Sequence, residues 1–199
     1  MKLFSLLLIF SSLFAYGASP EEIFLKLQQG NQRFAGGQSV HPRREFSHRE
    51  LLSSSQEPSA IILSCSDSRV PPEILFDQGV GDLFIVRVAG NVVGQIEMES
   101  IEFGALALHA SVIIVLGHEN CGAIDAVLKG KTQDIKAIAS LIQPAITKES
   151  SLENAIKANV SHVVKQLKTH PLLGRLVEEK KLMVVGGYYN LSSGTVTFL

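Results

Sequence analysis

The chain predicts an α/β fold, a mostly parallel β-sheet flanked by helices with one antiparallel edge strand. Three observations carry this. Strand-like and helix-like segments alternate along the whole length, the order expected of parallel βαβ units. Residues 60–63, 83–88 and 112–116 are nearly unbroken apolar runs, as strands covered on both faces require. The last two extended runs, 182–189 and 194–199, are joined by residues 190–193 alone, so they form a hairpin and supply the antiparallel edge.

Each element has its own signal. Ser19-Pro20-Glu21-Glu22 offers an N-cap, a proline at the first helical position and a capping-box glutamate, so a helix is expected over 20–34, ended by Gly36-Gly37. Residues 38–58 are polar, with His41, Arg43, Arg44, His48 and Arg49, and read as a loop followed by a short surface helix. Pro71-Pro72 blocks continuation of the first strand and starts a helical turn. The run 83–88 is then a second buried strand, and Gly90-Asn91 a turn. Apolar Ile101, Ala105, Leu106 and Leu108 among helix formers predict a helix over 97–109 leading into the third strand. A helix over 122–128 follows. Residues 132–169 keep helical spacing with a break near Pro144, and Pro171 opens a further short helix.

With 199 residues, 46% hydrophobic and 19% charged, and a net charge of −1, the chain suits one domain with a substantial core and lacks the basic footprint of a nucleic-acid binder. Residues 1–17 differ from the rest. Lys2 precedes an apolar stretch over 3–14, and Ala15 and Gly17 place small residues at −3 and −1, which is the pattern of a secretory signal peptide cleaved near Gly17/Ala18. That stretch is short for a bilayer span, so no stable membrane anchor is expected. The mature part is a single domain over 18–199, exported to a periplasmic location.

The only two cysteines lie in Cys65-Ser66-Asp67-Ser68-Arg69 and His118-Glu119-Asn120-Cys121-Gly122. Each cluster follows an apolar strand and so occupies a strand C-terminus, the edge at which open α/β sheets bind ligands. Two cysteines in an exported protein would by default pair as a disulfide. Against that, His118 stands three residues before Cys121 and each thiol falls just past a buried strand beside polar residues, which is metal-ligand placement. Cys65, His118 and Cys121 make three protein ligands, the count of a catalytic zinc site with one open position. His109 reads as a packed or surface histidine. Arg69 can grip Asp67 through two hydrogen bonds, keeping it ionised as an acceptor beside the metal; released, Asp67 would take the fourth position in a closed state. Cys121 and Gly122 begin a helix, whose positive end favours thiolate there. Two thiolates cancel the charge of a zinc ion, so bound water ionises late and activity should rise into the alkaline range.

Cys65-x-Asp67-x-Arg69 followed at long range by His118-x-x-Cys121-Gly122 resembles the β-class carbonic anhydrases. The likeness extends to Ser66, Ser68, Val70-Pro71, Gly81-Asp82-Leu83-Phe84, Arg87, Asn91, Gly30-Asn31-x-Arg33-Phe34 and residues 189–199, nearly the whole mature chain. It implies one Zn2+ per chain on Cys65, His118 and Cys121, a catalytic pair of Asp67 and Arg69, and a backbone contact near substrate at Gly122. It also implies reversible hydration of carbon dioxide to bicarbonate and a proton by zinc-bound hydroxide, in a homodimer or homotetramer. Val88 and Ile62 depart from members that have asparagine and tryptophan there, which argues against an inhibitory bicarbonate pocket. Three rival readings remain at this level: hydrolysis of carbonyl sulfide or carbon disulfide, a non-catalytic zinc or bicarbonate-sensing module, and a disulfide-stabilised binding protein.

Overall fold

The computed structural model describes residues 18–147 and 149–199; the leader expected over 1–17 lies outside them. Five strands form one sheet in the order β2-β1-β3-β4-β5. Here β1 is Ala60–Ser64, β2 Leu83–Arg87, β3 Val112–His118, β4 Met183–Tyr189 and β5 Val196–Phe198. β2, β1, β3 and β4 run parallel, and β5 returns antiparallel on β4, pairing Tyr188 with Thr197. The predicted architecture is the observed one.

Every residue of β1 and β3 is buried, because each strand has a neighbour on both sides and helices over both faces. Ile62, Ile114 and Leu116 face helix α1 (Pro20–Ala35) and the short α3 (Pro72–Leu75). Ile61, Leu63, Ile113 and Val115 face α4 (Gln95–Glu102), α7 (Leu152–Thr169) and α8 (Pro171–Glu178). Each such side chain removed from water contributes about 1.5–3 kcal/mol, so the two central strands anchor the domain. The capping box of α1 forms as expected: Ser19 Oγ accepts from Glu22 N at 3.2 Å, and Ser19 N donates to Glu22 Oε2 at 2.8 Å. No helix among the described residues is long and apolar enough to cross a membrane.

Three local expectations are corrected. β2 is a half-buried edge strand, since it has β1 alone as neighbour. The helix expected over 97–109 starts earlier, at Gln95, and widens into a π-turn over Phe103–Ala107 in which Leu108 N reaches Phe103 O. His109, with φ 59°, then turns the chain out of it. The segment expected as helical over 132–169 holds α6 (Lys136–Ile142) and a tight turn at Gln143–Ala145. Pro144 has no N–H to extend the ladder. α7 restarts only where Ser151 Oγ caps Asn154 N at 3.2 Å. A short helix α2 (Phe46–Leu51) lies in the polar region, and α5 (Gly122–Leu128) follows β3.

Candidate metal centre

β1 and β3 are adjacent and parallel, with Ser64 opposite Leu116, so Cys65 leaves the sheet beside the last residues of β3. His118 is the final residue of β3, and Cys121 is the N-cap of α5. The two cysteine sulfurs and a His118 ring nitrogen lie within 4.8 Å of one another, and all three residues are buried. Both cysteines are free thiols in the structure, as the metal-ligand reading requires. His109 sits at the opposite edge, beside Ser59 and Ser111 ahead of β1 and β3, and takes no part.

The donor set is prepared for an ion. His118 Nδ1 lies 2.9 Å from the Glu119 carbonyl oxygen. A carbonyl only accepts, so Nδ1 carries the hydrogen and Nε2 presents its lone pair. That Nε2 is buried and has no hydrogen-bond partner, the state of a ligand nitrogen rather than of a packed histidine. Glu119 is itself fixed: its N donates to Tyr189 O at 2.8 Å and its Oε2 accepts from Leu191 N at 3.1 Å.

The two thiols bias each other: the neighbouring Cys121 thiol lowers Cys65 against the effect of burial, and the N–H groups of Gly90 and Asp67 act in the same direction. Cys121 is pushed up by Cys65 and by burial, while the N–H groups of Ile124 and Ala123 at the start of α5 pull the other way, the direction expected of a helix N-terminus. A cation held there would displace the thiol protons and make both sulfurs ligands.

Asp67 and Arg69 meet as their spacing predicts. Arg69 Nε donates to Asp67 Oδ1 at 2.9 Å, Arg69 Nη2 to Oδ2 at 2.7 Å, and the Arg69 backbone N to Oδ1 at 3.0 Å. The Arg69 side-chain hydrogen bonds hold the Asp67 carboxyl well below the usual carboxylate range. Asp67 Oδ2 stands 3.9 Å from His118 Nε2, beside the ligand cluster. Gly122 opens α5, and a Cβ built on it would meet no atom within 4 Å, so the space before its backbone is open. Cys65 and Cys121 pack into an apolar core cluster with Val92, Ile124, Ile142, Ile156 and Tyr188.

Arg87 was not singled out by its own chemistry, yet it clamps the ligand loop. Its Nε donates to Cys65 O at 3.1 Å and its Nη2 to Asp67 O at 2.7 Å. A cation closing the otherwise apolar β2 was the available signal. A cavity of about 720 Å³ lies away from the site, at the N-terminal edge of the strands around Lys26, Glu57 and His109.

Residues 60–196 match the family model described as carbonic anhydrase. The carbonic anhydrase of Mycolicibacterium smegmatis is 34% identical over 191 residues, covering 90% of this chain and 93% of that protein. The chain belongs to the β-carbonic anhydrase family. Carbonic anhydrase 2 of Mycobacterium tuberculosis is 44% identical over 110 residues, a match spanning 55% of this chain and about half, 53%, of that protein's length. A solved β-carbonic anhydrase from Coccomyxa, in complex with acetazolamide, superposes with a TM-score of 0.69 at 25% identity, covering 86% of this chain and 83% of that one. The Cys65, His118 and Cys121 cluster and the Asp67–Arg69 pair fall inside the matched family segment.

Proposed function

We propose that this chain catalyses the reversible hydration of carbon dioxide to bicarbonate and a proton, with one Zn2+ held by Cys65, His118 and Cys121. The observation that carries this is the buried, unpartnered His118 Nε2 converging with two free thiols beside a guanidinium-gripped carboxylate. Two sulfurs and an imidazole nitrogen suit zinc, and three protein donors are the count of a catalytic site. Bound there, the ion would supply the Lewis acidity that makes water a nucleophile, the more so as pH rises.

The chain's own residues do the rest. Arg69 keeps Asp67 ionised and aimed, so Asp67 Oδ2 accepts a hydrogen bond from the attacking water and orients it toward carbon dioxide. Held below the usual carboxylate range, Asp67 does not keep the proton, which passes to buffer. The Gly122 backbone, next to Cys121, borders open space with room for a small linear gas.

The test measures zinc by mass spectrometry and hydration by stopped-flow on the purified chain. Zinc near one per chain with hydration is expected. Zinc without hydration would leave the non-catalytic module, and hydrolysis of carbonyl sulfide alone would move the substrate. A metal-free chain with its thiols oxidised to each other sinks the proposal outright.

Two further expectations belong to the same reading. Assembly as a homodimer or homotetramer is supported by large apolar side chains exposed near one another, Phe46 and Leu51 on α2 and Val80, whose carbonyl contacts His48; light scattering at a monomer mass would reject it. Export with cleavage near Gly17/Ala18 and a periplasmic location rests on the residue pattern of 1–17. N-terminal sequencing of the cell-envelope fraction tests it, and an intact Met1 terminus there would reject it.

A further inference from the structure

Helix α7 presents a buried apolar stripe to the sheet, Ile156, Val160, Val163 and Leu167, and one amide interrupts it. That amide is Asn159, 1% exposed. Its Nδ2 donates to the Gly90 carbonyl at 2.9 Å, while its Oδ1 is buried without a partner. An amide held among apolar side chains with one acceptor unpaired is unfavourable, and leucine would fill the same volume. What the amide does is hold Gly90. Gly90 has φ 75° in the turn Ala89–Asn91 after β2, and its own N–H donates to Cys65 Sγ at 3.3 Å. The two bonds flank one Cα, so anchoring the carbonyl side fixes the direction of the N–H. α7 comes close enough because β3 has Gly117 beneath it: a Cβ there would lie 2.6 Å from Val160 Cγ2 and 3.0 Å from Ile156 Cγ2.

We propose that Asn159 is a positioning residue for the metal centre, acting through the Gly90 peptide to aim an N–H at the Cys65 sulfur. This rests on Cys65 being a metal ligand. An N–H on a ligating sulfur withdraws charge from it and restricts its orientation, and outer partners of this kind change metal affinity by about 10- to 100-fold.

Cobalt(II) substituted into the purified chain is the probe, because its sulfur-to-metal charge-transfer band reports electron density on the sulfurs. Asn159→Leu keeps the side-chain volume, and Asn159→Ala avoids any overpacking; both are checked for folding by circular dichroism. In a folded variant the band is expected to move to longer wavelength and zinc to pass to a chelator roughly 10-fold faster. A band and a zinc-release rate unchanged from the parent overturn the proposal, even if melting is lowered, because a purely structural amide moves stability alone. A parent chain that takes up cobalt without any such band overturns the metal reading and this proposal with it; a parent band with unshifted variants overturns this proposal only.

Discussion

Replacing Asp67 with asparagine isolates what the carboxylate does, because shape is kept while charge and one acceptor are lost. In the native chain Arg69 occupies both oxygens, through Nε at 2.9 Å and Nη2 at 2.7 Å, and the lone pairs left over on Oδ2 face the ligand cluster 3.9 Å from His118 Nε2. Asparagine has one carbonyl oxygen. Whichever way its amide turns, its NH2 group faces either the guanidinium, which also donates, or the site, where an acceptor is needed. The favoured orientation gives the oxygen to Arg69 and offers a donor to the attacking water. A charge-assisted hydrogen bond of about 1.5–3 kcal/mol is thereby lost where the reaction needs it. By the transition-state relation this is roughly a 10- to 150-fold fall in kcat/KM. The ligand trio is untouched, so zinc content should match the parent.

Stopped-flow hydration assays beside zinc analysis check both halves. Activity within threefold of the parent at full zinc content would refute the role assigned to Asp67. Activity and zinc lost together would show that Asp67 acts by shaping the ligand loop, not on the reacting water.

Cys65→Ser should lose zinc and hydration in parallel, read by metal analysis after dialysis, and a serine variant that keeps one zinc per chain would contradict the ligand assignment. Hydration should climb from neutral into alkaline pH, since two thiolates leave the ion a weaker acidifier of water; a flat profile would contradict it. Asp67 is not the group titrating in that climb. Its folded pKa is depressed, so its stabilising contribution is complete above its unfolded value of about 3.9 and is lost only as pH falls below that. Asp77→Ala should destabilise the fold by about 3 kcal/mol in urea unfolding, because it leaves Arg33 Nε, Val40 N and His41 N without the buried carboxylate they contact at 2.7, 3.0 and 3.0 Å. A change under about 1 kcal/mol would show those donors finding water instead.

The sheet and the ligand trio were legible because both depend on short-range pattern. Apolar runs with nothing polar inside them read as parallel strands, and Cys65, His118 and Cys121 announce themselves by type and by position just past those runs. What escaped depends on neighbours distant in the chain. The edge position of β2 follows from strand order, which the run Leu83–Arg87 does not encode; only the closing Arg87 hints at exposure. Pro144 marked a break but not its length, since the cap that restarts α7 is a serine among several. Asn159 was invisible as a functional residue because its partner, Gly90, lies on another element. Its trace was a polar residue at a position where helical spacing from Ile156, Val160 and Val163 calls for an apolar one.

The ladder brings both ligand segments to one edge of the sheet. Neighbouring parallel strands lie about 4.8 Å apart. β1 and β3 pair Ser64 with Leu116, so the next rung would bring Cys65 beside Gly117, with His118 one residue on. By strand alternation these two side chains would point to opposite faces, so it is because Cys65 lies past the last residue of β1 that its sulfur can reach the His118 ring, with the three donor atoms within 4.8 Å of one another. Asn120, in the left-handed region at φ 54°, then turns the chain so that Cys121 caps α5 from the same edge. This makes the centre sensitive to register and tolerant of loop length. A single residue inserted within β1 would send Cys65 to the opposite face of the sheet, away from Gly90 and Cys121, because side chains alternate with period two. An insertion in the exposed turn at Lys129 and Gly130, beyond α5, leaves every rung in place. Zinc binding should be abolished by the first insertion and survive the second, and a chain that bound zinc equally well after both would show that the ladder register does not build the site.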